Sequence, residues 1–206
     1  MLDFDRLEET PLATDPFPHL VVRHFVPAAE LDAVYADLPK LTRRGSFPVS
    51  ALHFGPRAAT MLAELEGPRF RAAIARRFAI DLDGAATMVT LRGQSTERDG
   101  HIHCDSRAKR VTVLLYLNPS RAEWEAHQGC LRLLRSPDLE DYAVEVPPVD
   151  GTLLVFLNGP TAWHGHKTFI GPRYVVQLNY MTNDAVARSE LRRHRLSAFL
   201  KRLLAA

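Results

Sequence analysis

Residues 100–109 read GHIHCDSRAK and set three side chains able to bind a metal, His101, His103 and Asp105, at every second position. In an extended chain alternate side chains share a face, so all three can converge on one point. Further along, AWHGHK repeats the device with His164 and His166. An H-x-D pair and one distant histidine place two neutral imidazoles and a carboxylate on one face of an octahedron. Three adjacent positions stay open for reagents. A fourth protein ligand would close one of them. Spacing alone does not choose between His101 and His103, or between His164 and His166.

This two-histidine, one-carboxylate set is the ligand pattern of non-haem Fe(II) oxygenases. A second landmark follows it in GPRYVVQLNYM, where Arg173 lies nine residues after His164 and seven after His166. An inward arginine on an otherwise apolar strand needs an anionic partner, because an unpaired buried charge is costly. The distal carboxylate of 2-oxoglutarate is such a partner, planar and suited to a guanidinium fork.

With His103-Cys104-Asp105, His164 and Arg173 in this order and spacing, the sequence resembles the Fe(II)/2-oxoglutarate-dependent dioxygenases, particularly their prolyl 4-hydroxylase-like group. The likeness covers about residues 86–182. RVTVLLYLNPSRAEWEAHQGCLRLL looks like the family's strand, loop and strand after H-x-D, with Gln128-Gly129 where relatives often carry Gly-Gly. The resemblance implies Fe(II) on His103, Asp105 and His164, with 2-oxoglutarate as cosubstrate and O2 as oxidant. Arg173 and Tyr116 would hold the distal carboxylate, with ascorbate as a supporting reductant. It implies a mainly β protein with a double-stranded β-helix (jelly-roll) core. The implied reaction hydroxylates a substrate and releases succinate and CO2. A cupin-like protein binding a metal without 2-oxoglutarate is the alternative, and a non-catalytic module a third. Neither needs an arginine nine residues after the last ligand.

The neighbours of these residues fall into place by alternation. Thr112 shares a strand face with Tyr116 and is expected at the cosubstrate. His101 and His166 are expected at the rim, meeting substrate or orienting a ligand. Trp163 is expected as a wall of the site, and Arg92, Gln94, Gln177 and Asn179 as inward polar contacts. Cys104 and Cys130 read as buried small hydrophobes.

These residues need a scaffold. Six runs, ATMVTLRGQ, KRVTVLLYLN, GCLRLL, YAVEVPP, GTLLVFLN and RYVVQLNYM, are rich in strand formers and bounded by Gly, Pro, Asn or Asp. They lack long intervening helical patterns, which independently favours an antiparallel sandwich or barrel. Before them, Leu31, Val34, Tyr35 and Leu38 keep helical spacing. RAATMLAELEGPRFRAAIARRFAI predicts two helices broken at Gly67-Pro68, the second striped by Phe70, Ile74 and Phe78. The expected organisation is one domain over 1–206. Helical support spans 1–85, the catalytic core 86–183 and a basic C-terminal helix 184–206.

Bulk properties narrow the partners. A net charge of +2 on 206 residues gives no argument for nucleic acid, and no apolar run reaches membrane-span length. With two cysteines and no basic-then-apolar leader at the N-terminus, a cytoplasmic location is expected. The substrate class is left open between a small molecule and a peptidyl side chain, since cofactor likeness does not transfer substrate choice.

Overall fold

The computed structural model of the chain describes residues 1–119 and 126–182, with the single positions 124 and 189. The basic helix expected at 184–206 therefore lies outside the described residues. Four helices come from the N-terminal third: α1 (Phe4–Glu9), α2 (Ala28–Ala36), α3 (Pro56–Glu66) and α4 (Pro68–Arg77). Gly67 both ends α3 and begins α4, and Pro56 and Pro68 occupy the first turns, where a missing N–H costs nothing. Phe70 and Ile74 are fully buried and Phe78 nearly so, as the stripe requires.

Among the described residues there are nine strands, all paired antiparallel. They are β1 (His19–Val22), β2 (Phe47–Pro48), β3 (Thr87–Ser95), β4 (Lys109–Tyr116), β5 (Leu131–Leu134), β6 (Tyr142–Val146), β7 (Leu153–Leu157), β8 (His164–His166) and β9 (Gly171–Met181). A major sheet runs β1-β7-β4-β9-β3-β2, and a minor sheet runs β6-β5-β8. All six strand runs read from the sequence are present. The N-terminal third, however, supplies β1 and β2 as well as helices, so both edges of the major sheet come from residues expected to be only support.

Alternation on the central strands explains the layering. Val111, Val113 and Leu115 of β4, Leu153 and Val155 of β7, and Val176 and Leu178 of β9 face the helices and join Phe70, Ile74 and Met61 in one core. The opposite faces of the same strands, with Tyr116, Leu154, Phe156 and Val175, meet Leu131, Leu133 and Val146 of the minor sheet. Two sheets enclosing an inner face, with helices on the outside, make this a double-stranded β-helix. The inner face also carries the polar residues of the next section.

Candidate metal centre

His103 and His164 are joined through their backbones, each N–H donating to the other's carbonyl at 3.0 and 2.9 Å. This isolated bridge holds the two rings with centroids 4.3 Å apart. One ligand atom from each of His103, Asp105 and His164 lies within 4.8 Å of the others. Both rings are turned the same way. Nδ1 of His103 lies 2.8 Å from the carbonyl of His101, and Nδ1 of His164 lies 2.9 Å from that of Ala162. A carbonyl only accepts, so each Nδ1 carries a proton and each Nε2 is the atom left to bind a metal.

Asp105 is equally fixed. Lys109 Nζ donates to Oδ1 at 2.6 Å and Thr112 Oγ1 donates to Oδ2 at 2.6 Å. Burial alone would push this carboxyl up, but Lys109, His164 and the two hydrogen bonds hold it below the usual carboxylate range. The site thus offers two imidazole nitrogens and an ionised oxygen.

The triad opens into a cavity of about 240 Å³ between the sheets, lined also by Tyr116, Leu114, Leu131, Val175, Arg173 and His166. Arg173 Nε donates to the Gly129 carbonyl at 3.0 Å, while its Nη2 is buried without a partner among the described residues. The Tyr116 hydroxyl is in the same condition, and the arginine Cζ lies 5.4 Å from the tyrosine ring centroid. Burial pushes the Tyr116 hydroxyl pKa up, with Arg173 opposing it, so the phenol keeps its proton and remains a donor. Two stranded donors facing one cavity make a cradle for an anion.

The other expected contacts divide. Arg92, Gln94, Gln177 and His166 line the cavity. Thr112 lines it too, but its hydroxyl is engaged with Asp105 and supported by Asn158 Nδ2 at 2.9 Å. Asn179 does not line it; it pairs with Thr112 across the sheet and sits beneath that residue, with its Oδ1 3.1 Å from the threonine oxygen. Trp163 is absent from the lining as well, because it precedes His164 on an extended chain and faces away. His101 is exposed and lies outside this cavity. Residues 100–105 form no regular strand beyond the single bridge at His103, so strict alternation does not apply there. Cys104 is half-exposed, its Sγ 3.4 Å from the Pro160 carbonyl, whereas Cys130 is buried. Sequence reasoning passed over Lys109, Asp99 and Ser95, all of which line the cavity. Lys109 had a signal, an opposite charge four residues after Asp105.

Gly100 shows how tightly the loop is seated. Its φ is +91°, and an added Cβ would lie 2.5 Å from the His166 carbonyl and 2.6 Å from its Nδ1. Gly100→Ala should therefore cost about 2–5 kcal/mol through backbone strain and overpacking. Thermal unfolding will show the loss, and an unchanged midpoint would mean the loop moves freely.

His164 and His166 are both buried and their pKa values are pushed down to about 4. Burial is the main cause for each, followed by the charge of His103 for the first and of Arg173 for the second. Their folded values lie below the unfolded ones, so stability is intact above about pH 6.5 and is lost as pH falls toward 4. Between pH 7.5 and 5 each contributes a loss of about 2 kcal/mol in metal-free protein. Urea unfolding of His166→Gln should show a correspondingly smaller pH dependence. An unaltered slope would mean that His166 is protonated in the folded state.

Comparison with known proteins agrees with this geometry. Residues 90–181 match the family model of the 2OG-Fe(II) oxygenase superfamily, a span holding the triad, Tyr116 and Arg173. Over that span this chain matches a superfamily of dioxygenases whose reagents are Fe(II), 2-oxoglutarate and O2. Its fold is that of prolyl 4-hydroxylases. A Pseudomonas putida prolyl-4-hydroxylase aligns with a TM-score of 0.55 at 20% identity, over 87% of this chain and 96% of its own. A prolyl 4-hydroxylase from Phytophthora capsici gives 0.59 at 16%, over 98% and 76%. A Trichoplax adhaerens prolyl hydroxylase, solved with a hypoxia inducible factor peptide fragment, gives 0.51 at 20%, over 91% and 87%. No curated protein matches the chain significantly.

Proposed function

We propose that His103, Asp105 and His164 hold Fe(II), that Arg173 and Tyr116 bind the distal carboxylate of 2-oxoglutarate, and that the enzyme hydroxylates its primary substrate. The observation that carries this reading is the pair of buried, unpartnered donors, Arg173 Nη2 and Tyr116 OH, in one cavity with the triad. A cupin-like site working without 2-oxoglutarate would leave both uncompensated, at about 1–3 kcal/mol each or more for the charge.

When bound, iron and cosubstrate supply O2 activation with oxidative decarboxylation to succinate and CO2; the protein supplies position. His101 and Ala162 carbonyls fix the two imidazoles, and Lys109 and Thr112 fix the carboxylate, so three ligand atoms are preset before any metal arrives. Arg173 is itself aimed by the Gly129 carbonyl. Leu114, Leu131 and Val175 keep the cosubstrate end dry, which strengthens its ionic contacts.

We read the chain as one domain acting on a small-molecule or peptidyl substrate, with ascorbate restoring iron oxidised in unproductive cycles. Two free cysteines support a reducing, cytoplasmic setting. Among the described residues no helix is long and apolar enough to cross a membrane.

Anaerobic addition of Fe(II) and 2-oxoglutarate should produce the visible charge-transfer band of the chelate. No band, and no succinate under O2 with ascorbate, would overturn the reading. His166→Ala should keep stoichiometric iron and His164→Ala should lose it; the reverse would reassign the ligand.

A further inference from the structure

One wall of the cavity is left without work by the metal and cosubstrate assignments. Arg92 of β3 and Tyr116 of β4 both pair with Val175 of β9, so the three form a row on the inner face. At about 4.8 Å between strands, Arg92 stands roughly 10 Å along that row from Tyr116. Its Nη2 donates to Asp99 Oδ1 at 2.6 Å, and Arg44 Nη2 lies 3.7 Å from the same oxygen. The other Asp99 oxygen accepts the Thr96 N–H and hydroxyl, both at 2.9 Å. Asp99, 6% exposed in its side chain, is thus fully used and positions Arg92. Two guanidiniums on one carboxylate leave this cluster with a single positive charge.

Three residues further along β3, Ser95 is 4% exposed, lines the same cavity, and its hydroxyl has no partner among the described residues. A buried hydroxyl of this kind costs about 1–3 kcal/mol until something bonds it. We propose that Arg92 and Ser95 form the subsite for a carboxylate of the primary substrate. This rests on the reading above, which commits Arg173 and Tyr116 to the cosubstrate. The chemistry selects the class. A neutral apolar substrate would leave the Ser95 hydroxyl unpaired and the cluster's surplus positive charge unanswered. A phosphate dianion exceeds the one uncompensated charge, whereas a carboxylate matches it and fits the planar fork. That carboxylate belongs to a free amino or related acid, or to a peptide C-terminus. In either case the substrate meets the metal centre with its anionic end held against β3.

The test uses the anaerobic Fe(II)·2-oxoglutarate complex of the full chain, with succinate release under O2 as a second readout. The probes are the common L-amino acids and N-acetyl dipeptides ending in each of them, every probe paired with its carboxamide. A carboxylate probe should perturb the band and accelerate succinate release, with its amide at least about tenfold weaker, as expected for a lost charge-assisted bond. Arg92→Gln should raise the half-saturating concentration of that probe about tenfold or more and shift that of 2-oxoglutarate less than about twofold. Arg92→Lys, which keeps the charge without the fork, should fall between and covers the case in which the glutamine variant does not fold. Response to free acids alone points to a small metabolite, and response to dipeptides as well to a C-terminus; both support the subsite. Equal action of acid and amide, no response to any carboxylate, or equal loss of probe and 2-oxoglutarate in Arg92→Gln would overturn it. Absence of the band in the unaltered protein removes the underlying reading instead, and this inference with it.

Discussion

Asp105→Ala is expected to weaken Fe(II) binding by more than about a hundredfold, beyond the 10–100-fold typical of residues that merely support a metal ligand. The reason is twofold. The substitution deletes the one anionic ligand, and it strands the Lys109 ammonium, which lies 2.6 Å from Asp105 Oδ1 with a side chain only 14% exposed. A buried cation beside the site then repels the incoming metal. His103→Ala removes a neutral ligand and leaves the Lys109 pair intact, so its loss should be smaller. Asp105→Ala with Lys109→Met should recover part of the affinity. Equilibrium dialysis against Fe(II), or Mn(II) as an air-stable surrogate, measures all three. Equal losses for Asp105→Ala with and without the lysine would show that Lys109 leaves the site when metal binds.

Arg173→Ala is expected to raise the 2-oxoglutarate concentration for half-saturation at least about thirtyfold, from the 2–5 kcal/mol typical of truncating one partner of a buried charge pair. Iron affinity should change less than about threefold, because Arg173 touches none of the triad's supports; its protein hydrogen bond goes to Gly129. Arg173→Lys should lie between, retaining charge without the bidentate geometry. Titration of the charge-transfer band reads cosubstrate, and metal dialysis reads iron. Equal loss of both would give Arg173 a structural task. Tyr116→Phe should show the same selectivity at smaller size, since it removes one neutral donor from the same cradle.

The sequence made much of this visible because strand alternation is strict wherever a strand is regular. From Val111 to Tyr116 in β4 and along β9 it holds, so Thr112 shares the face of Tyr116 and Gln177 that of Arg173 by spacing, while the cosubstrate roles of Tyr116 and Arg173 come from the family resemblance; the helix break at Gly67-Pro68 is readable from the two residues that cause it. Failures gather where tertiary contacts specify the backbone. β8 is three residues, His-Gly-His, with no hydrophobic pattern; its extended form comes from pairing with β5 and with His103. The turn at Gly100 takes His101 out of the alternation that would have aimed it at the metal. β1 and β2 lie apart from the run of strands after residue 86, and each exists as an edge completed by a longer partner. The roles of Asp99 and Ser95 depend on which side chains meet across β3, which no local pattern records.

β1 carries a further meaning for how the enzyme comes to be active. Its four residues pair with β7 in register, His19 opposite Phe156. Phe17, just before the strand, stacks edge-on to Phe156 with centroids 5.7 Å apart, and Phe156 lies 5.0 Å from the His164 ring. The second histidine of the site is thus wedged by an aromatic relay that begins within the first twenty residues. A ribosome releasing the chain from its N-terminus delivers β1 long before β7 exists to receive it. The candidate metal pocket therefore reaches its final shape only when β1 closes the edge of a strand made far later. Shortening the chain to residues 86–183 would bare that edge to pairing with other molecules and loosen the histidine at the same stroke.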